Sequence, residues 1–334
     1  MLEYRSPRRA LFAVVLTIGV ALAACGDGDG GDKGLSAAPE TTAKRAVTTL
    51  SAQVASYDLI AKRPQRVIVG LLTNEQDLIG YGTVQMAFAY MGTKEQPLQT
   101  PRAGTSVEGD FRAIPGKADP SSPPAAPTRM SGGAAGVYGT DGVVFDDAGV
   151  WEVRVSARVD DKPLVARAAF EVFADSTIPN VGDPAPRSQN LLAGLAAASP
   201  KAVDSRADDK GAIPDAPLHA ITVADAIAAR QPLMVVVSTP VYCVSRFCGP
   251  ITDTVGDIAT RSGDKMKFVH IEVWKNFEGK ALAAAAADWI YPTKKEDIRE
   301  PWVFVVGADG IITHRFDNVA TTAELDRAVA EVTA

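Results

Sequence analysis

The sequence predicts a multidomain chain in which an all-β sandwich is followed by an α/β region. Three observations predict it. Between Pro64 and Ala174 apolar residues recur with period two, and no helix-period segment interrupts them. From Leu218 onward, strand-length apolar runs alternate with segments of helical pattern. Between these regions Asp175–Pro217 is broken up by six prolines, from Pro179 to Pro217, and reads as a connection. A length of 334 residues accommodates two such domains.

Composition narrows the function classes. Lys and Arg total 34 against 40 Asp and Glu, a net charge of −6, and no basic block follows the first nine residues. Nucleic acid is therefore not an expected partner. With 46% hydrophobic and 22% charged residues the chain is globular in composition, which excludes disorder throughout. Three cysteines and three histidines leave little material for a multi-ligand metal site, so no metal and no other cofactor is expected.

At the N-terminus Arg5, Arg8 and Arg9 precede an uncharged apolar run from Ala10 to Ala24. The run is too short to span a bilayer as a stable helix and suits a signal peptide. It ends in Leu22-Ala23-Ala24-Cys25, which resembles the lipobox of bacterial lipoproteins. The resemblance implies removal of residues 1–24, a lipid on Cys25, and a cell-membrane anchor on the extracytoplasmic face. Residues 25–63 then form a polar tether that opens Gly-Asp-Gly-Asp-Gly-Gly after the cysteine. With Cys25 acylated, Cys243 and Cys248 remain as a pair, in a compartment where disulfides persist.

In the region 64–174, Val67–Leu72 reads as a strand. Val84, Met86, Phe88 and Tyr90 face one way in the next, Trp151, Val153 and Val155 in a third, and Ala166–Phe173 forms a fourth. Pro97–Gly133, rich in Pro, Gly and Ser, reads as irregular. The stretch VFDDAGVWEVRV, with its turn at Asp147-Ala148-Gly149, looks like the late hairpin of immunoglobulin-like domains. With neither Cys nor His, this region is expected to act as a spacer or docking module, without chemistry of its own.

The connection 175–217 contains VGDPAPRSQN, which resembles the entry of extracytoplasmic thioredoxin-like proteins. In the region 218–334, Thr222 with Asp225 three residues later opens a short helix. Leu233–Val237 is continuously apolar, as in a strand buried on both faces. Ile251–Arg261 is helical, Lys267–Val273 a strand and Gly279–Ile290 an Ala-rich helix. Val303–Val306 and Ile311–His314 form a hairpin around Asp309-Gly310, and Thr321 with Glu324 caps a last helix to Val332. This order resembles that of thioredoxin-like proteins, and the resemblance implies an α/β thioredoxin-like fold for the last third of the chain.

VVVSTPVYCVSRFCGPITD resembles the thioredoxin active-site turn, which implies a redox pair at Cys243 and Cys248. Residues five apart on a regular helix stand roughly 8–9 Å apart, beyond disulfide reach. A bond therefore requires Val244–Phe247 to form a loop. Gly249-Pro250 supports this, because proline favours the start of a helix. The attacking sulfur stays open. Cys243 follows the strand and lies farther from the packed helix, while Phe247-Cys248-Gly249-Pro250 matches the family's Trp-Cys-Gly-Pro. The helix N-terminus and Arg246 would favour a thiolate at Cys248.

REPWVFVVGADG looks like the family's cis-proline strand, which implies substrate-binding roles for Glu300 and Pro301. A carboxylate at Glu300 disfavours a neighbouring thiolate, and so opposes a strongly oxidising pair. Val237 stands where the family carries a buried Asp, so proton transfer to the resolving thiol lacks its usual acceptor. Glu272 and Trp274 end a strand near the expected cleft. His270 is read as a core or edge residue, and His219 and His314 as superficial.

Two functions remain open: a membrane-anchored extracytoplasmic thiol–disulfide oxidoreductase acting on secreted or membrane-protein thiols, and a binding module whose Cys243–Cys248 bond is a structural staple. A copper-chaperone reading fails on the spacing and on the absence of a histidine from Ile290–Trp302.

Overall fold

The computed structural model describes residues 49–114, 116, 123–130, 136–194, 199–245, 247–290 and 299–334. The expected signal peptide, Cys25, most of the expected tether and Arg246 lie outside these. Residues Ala46–Ala334 form one compact unit.

The first region is built from β1 (Leu50–Val54), β2 (Pro64–Thr73), β3 (Leu78–Gly80), β4 (Thr83–Gly92), β5 (Pro97–Ala113), β6 (Thr128–Arg129), β7 (Gly136–Val144), β8 (Gly149–Val159) and β9 (Lys162–Val172). They hydrogen-bond in the order β6-β3-β2-β7-β5-β4-β8-β9, with β1 added to β2, and every pairing is antiparallel. The ends of this sheet meet: the Ala61 N–H donates to the Phe173 carbonyl at 2.9 Å and the Phe173 N–H to the Leu59 carbonyl at 2.8 Å. The expected alternation places Val84, Met86, Phe88, Trp151, Val153 and Val155 in one core with Tyr138 and Phe145. Trp151 satisfies its indole N–H on the Asp147 carbonyl at 2.9 Å.

The second region runs α1 (Pro200–Val203), a 3-10 turn (Ala216–His219), α2 (Val223–Ala228), β10 (Leu233–Ser238), α3 (Cys248–Ser262), β11 (Lys267–Glu272), β12 (Trp274–Asn276), β13 (Ala281–Leu282), α4 (Ala284–Ile290), β14 (Trp302–Val306), β15 (Ile312–Asp317) and α5 (Thr322–Thr333). Its main sheet has the order β11-β10-β14-β15, and all six residues of β10 are buried. Because side chains alternate along β10, Leu233, Val235 and Val237 pack against α2 and α4 on one face. Met234 and Val236 pack against α3 and α5 on the other. The sequence signals for the two capped helices hold: Thr222 accepts from Asp225 N, and Thr321 and Glu324 close a full capping box. In the β14–β15 hairpin Gly310 takes a left-handed conformation (φ 82°), which its missing Cβ permits.

The expected fold class does not hold. Among the described residues strand occupies 42% and helix 20%, and the sheets are largely antiparallel, so the described structure is mostly β and its C-terminal part is not shown to be an α/β thioredoxin-like fold. Of the pairings between described strands only β10–β11 is parallel, while β14 and β15 add antiparallel. The all-β character of the first region agrees with its sequence, although its strands join in one bent sheet.

Three segment readings also change. The tether ends early, because β1 lies within residues 25–63 and pairs with β2. Pro97–Gly133 is irregular only in part: its first 17 residues are β5. The connection 175–217 folds α1 and the 3-10 turn onto β11 and buries Asp204. No helix among the described residues is long and apolar enough to cross a membrane.

Candidate functional site

The buried strand β10 ends at Ser238, and Thr239–Phe247 leads from it into α3. That loop is what the five-residue spacing requires. It folds back so that the Cα atoms of Cys243 and Cys248 stand 6.0 Å apart, and the two sulfurs are bonded. The helix starts at Cys248 itself, two residues before Pro250. Cys248 is fully buried, whereas Cys243 is half-buried beside Val244, which is 96% exposed at the loop tip. Ser238 and Thr252 anchor the base of the loop through a 2.7 Å hydroxyl contact, and Thr252 donates to the Cys248 carbonyl at 2.7 Å.

Glu300 and Pro301, 50-odd residues downstream, come to the same place. Their peptide bond is cis. A carboxylate oxygen of Glu300 and both sulfurs lie within 4.8 Å of one another. Glu300 Oε2 is buried without a hydrogen-bond partner. Burial first, and then the neighbouring carboxyl of Glu272, push the Glu300 pKa up to about 8. The group is therefore largely an uncharged acid at neutral pH. The sequence-based argument that its negative charge opposes a nearby thiolate is corrected by this burial.

Glu272 closes the floor of the site. It is buried, accepts from the Ser205 N–H at 2.9 Å and from the Trp274 N–H at 3.2 Å, and burial raises its pKa as well. A carboxylate at the end of the strand KFVHIE, directly after the apolar Ile271, was the sequence signal for it.

Two contacts had no sequence signal. Tyr57, just after β1, donates its hydroxyl to the Glu300 carbonyl at 2.9 Å. Ser245 donates to the same carbonyl at 3.4 Å, and its Oγ lies 3.2 Å from Cys243 Sγ. The backbone position expected to face substrate is thus already engaged by the chain's own groups.

The histidines are placed otherwise than expected in one case. His270 lies in the core, and His314, 28% exposed, pairs with Glu331. His219, read as superficial, is 1% exposed and approaches Asp204. Burial would raise the Asp204 pKa, but interactions with His219, His270 and Arg206 outweigh it and hold the carboxyl well below its ordinary range.

No protein-family model and no curated protein matches the chain. Among solved structures, the sporulation control protein Spo0M of Bacillus subtilis aligns over 39% of this chain and 49% of its own, with 6% identity and a TM-score of 0.23. A β-glucosidase of Kluyveromyces marxianus in complex with glucose aligns over 37% of this chain and 14% of its own, with 13% identity and a TM-score of 0.19. The chain thus spans about half of Spo0M and a small part of the glucosidase. Superpositions this loose carry no functional argument.

Proposed function

We propose that the protein is an extracytoplasmic thiol–disulfide exchange protein, lipid-anchored through Cys25, that acts on cysteines of secreted or membrane proteins. The observation that carries this reading is an asymmetric pair: a half-buried Cys243 bonded to a fully buried Cys248, with the protonated carboxyl of Glu300 beside both sulfurs. The likeness of the cysteine segment to the thioredoxin active-site turn supports it.

The exposed sulfur is the one a substrate can reach. In the reducing direction the Cys243 thiolate attacks a substrate disulfide, one substrate sulfur leaves, and a mixed disulfide forms. Cys248 gives its proton to ionised Glu300, attacks Cys243 Sγ, and releases the second substrate sulfur. In the oxidising direction a substrate thiolate attacks Cys243, and protonated Glu300 supplies the proton that the departing Cys248 takes up. A second substrate thiolate then attacks the bound substrate sulfur, forming the substrate disulfide and releasing Cys243 as a thiolate. The same atoms serve both directions.

A second reading is a lipoprotein binding module in which the disulfide is a staple, and one observation favours it: Tyr57 and Ser245 already occupy the Glu300 carbonyl. Trapping separates the two. Cys248→Ser, which leaves the accessible sulfur without its resolving partner, is expected to accumulate mixed disulfides with envelope proteins, and Cys243→Ser is not. No adducts from either variant, together with a reduction potential below about −300 mV, would establish the staple.

A further inference from the structure

The connection between the two regions carries a carboxylate into the interior. Asp204, the residue after α1, is 0% exposed, and His219 from the 3-10 turn and His270 from β11 are each 1% exposed. Asp204 Oδ2 lies 3.2 Å from His219 Nε2 and 3.3 Å from His270 Nδ1. One ligand atom from each residue falls within 4.8 Å of the other two.

Two observations distinguish this cluster from an ordinary hydrogen-bonded core group. His270 Nε2 stands 3.2 Å from the Ser238 carbonyl oxygen, which can only accept, so this nitrogen carries the ring proton. The other nitrogen, Nδ1, is buried and turned toward Asp204 at hydrogen-bond distance, yet it makes no hydrogen bond. A free donor atom is left facing a carboxylate. The second observation is charge. Arg206 pairs with Asp204 at 2.7 Å, with Asp215 at 2.8 Å and with Asp253 at 2.5 Å. One guanidinium is thus shared among three carboxylates, of which Asp204 alone is fully buried, so Arg206 compensates the Asp204 charge only in part.

We propose that Asp204, His219 and His270 form a binding site for a divalent first-row transition ion. Two imidazoles and one carboxylate are the donor set of zinc(II). Zinc bonds of ~2.0–2.1 Å in tetrahedral array set ligand atoms ~3.3 Å apart, which the 3.2 and 3.3 Å separations match. A cavity of about 210 Å³, bordered by Ala202, Val203, His270 and Glu272, lies beside the cluster and reaches His270. The ion would tie α1 and the 3-10 turn to β11, and it needs neither cysteine.

The test uses the full chain with its disulfide intact, stripped by a chelator and titrated with zinc(II) alone by calorimetry, or with cobalt(II) followed by visible absorption. The expected result is one equivalent bound, tetrahedral cobalt bands and a raised Tm. His219→Gln and His270→Gln are each expected to weaken binding at least ~10-fold and to remove the Tm shift. Absence of saturable binding to the wild-type chain overturns the proposal, and that titration decides even where a variant fails to fold. Undiminished binding in either variant overturns it too, because the ion then sits elsewhere.

Discussion

A carboxyl group whose buried oxygen lacks a partner, placed beside a second carboxyl, keeps its proton to about pH 8, and this decides what Glu300 can do beside the sulfurs. The unfolded chain releases that proton near pH 4.5, so the folded state is the one that holds it more tightly. Stability is therefore full below about pH 4.5, falls as pH rises toward 8, and levels off above. Glu300→Gln keeps the shape and cannot ionise. Its stability relative to wild type is expected to rise between pH 4 and pH 8, reaching a gain on the order of a few kcal/mol, read from denaturant unfolding with the disulfide intact. A stability difference independent of pH would place the Glu300 carboxyl in solvent. Glutamine also cannot take the proton from Cys248, so the exchange rate of this variant should drop ~100-fold and lose its inflection near pH 8. The pair and the Glu300-Pro301 corner were legible in the sequence because each is a local motif. The depth of Glu300 was not, since Tyr57, Glu272 and Thr239 reach it from three other parts of the chain.

At the scale of elements, the same division separates α5 from β5. The Thr321 and Glu324 signal at the start of α5 is local, and the structure forms it as a capping box. It does not disclose that the Glu324 carboxylate also receives Arg66 of β2 at 3.0 Å and Arg112 of β5. Ion pairs across sheets have no sequence period. Thr321→Ala, which removes only the cap, should cost ~1 kcal/mol. Glu324→Ala leaves Arg66 with Asp317 and Arg112 with Asp141 but removes the carboxylate the two share along with the capping box, and should cost more than the cap alone, ~2–3 kcal/mol in the same unfolding experiment. Equal losses would mean that the capping box is all that Glu324 contributes. β5 was missed for the opposite reason. Its residues from Pro97 to Ser106 are exposed on both faces, so no alternation marks them, and only backbone pairing with β4 makes them a strand.

On the scale of the whole molecule, the contacts that bring Tyr57 to the disulfide also join the two regions. The Tyr57 N–H donates to Asp317 at 2.6 Å, and Arg66 reaches Asp317 and the Val319 carbonyl. Val319, between β15 and α5, packs with Ile68, Ile114 and Val137 of the first region. Arg315 of β15 donates to the Asp58 carboxylate and to the Asp58 carbonyl, each at 2.8 Å. Asp58 and Arg315 are 5% and 10% exposed, so removing the arginine strands a carboxylate away from water. A seam built this way couples the folding of both regions: neither can open without exposing charge that the other neutralises. Calorimetry of the full chain is expected to show one transition. Arg315→Ala should lower it as a whole, by about 2–4 °C for each kcal/mol lost. Two resolved transitions, with only the later region shifted, would show that the seam joins independent folding units. In that case Tyr57 could leave the Glu300 carbonyl while the disulfide stayed in place, and the backbone beside Cys243 would open to a substrate.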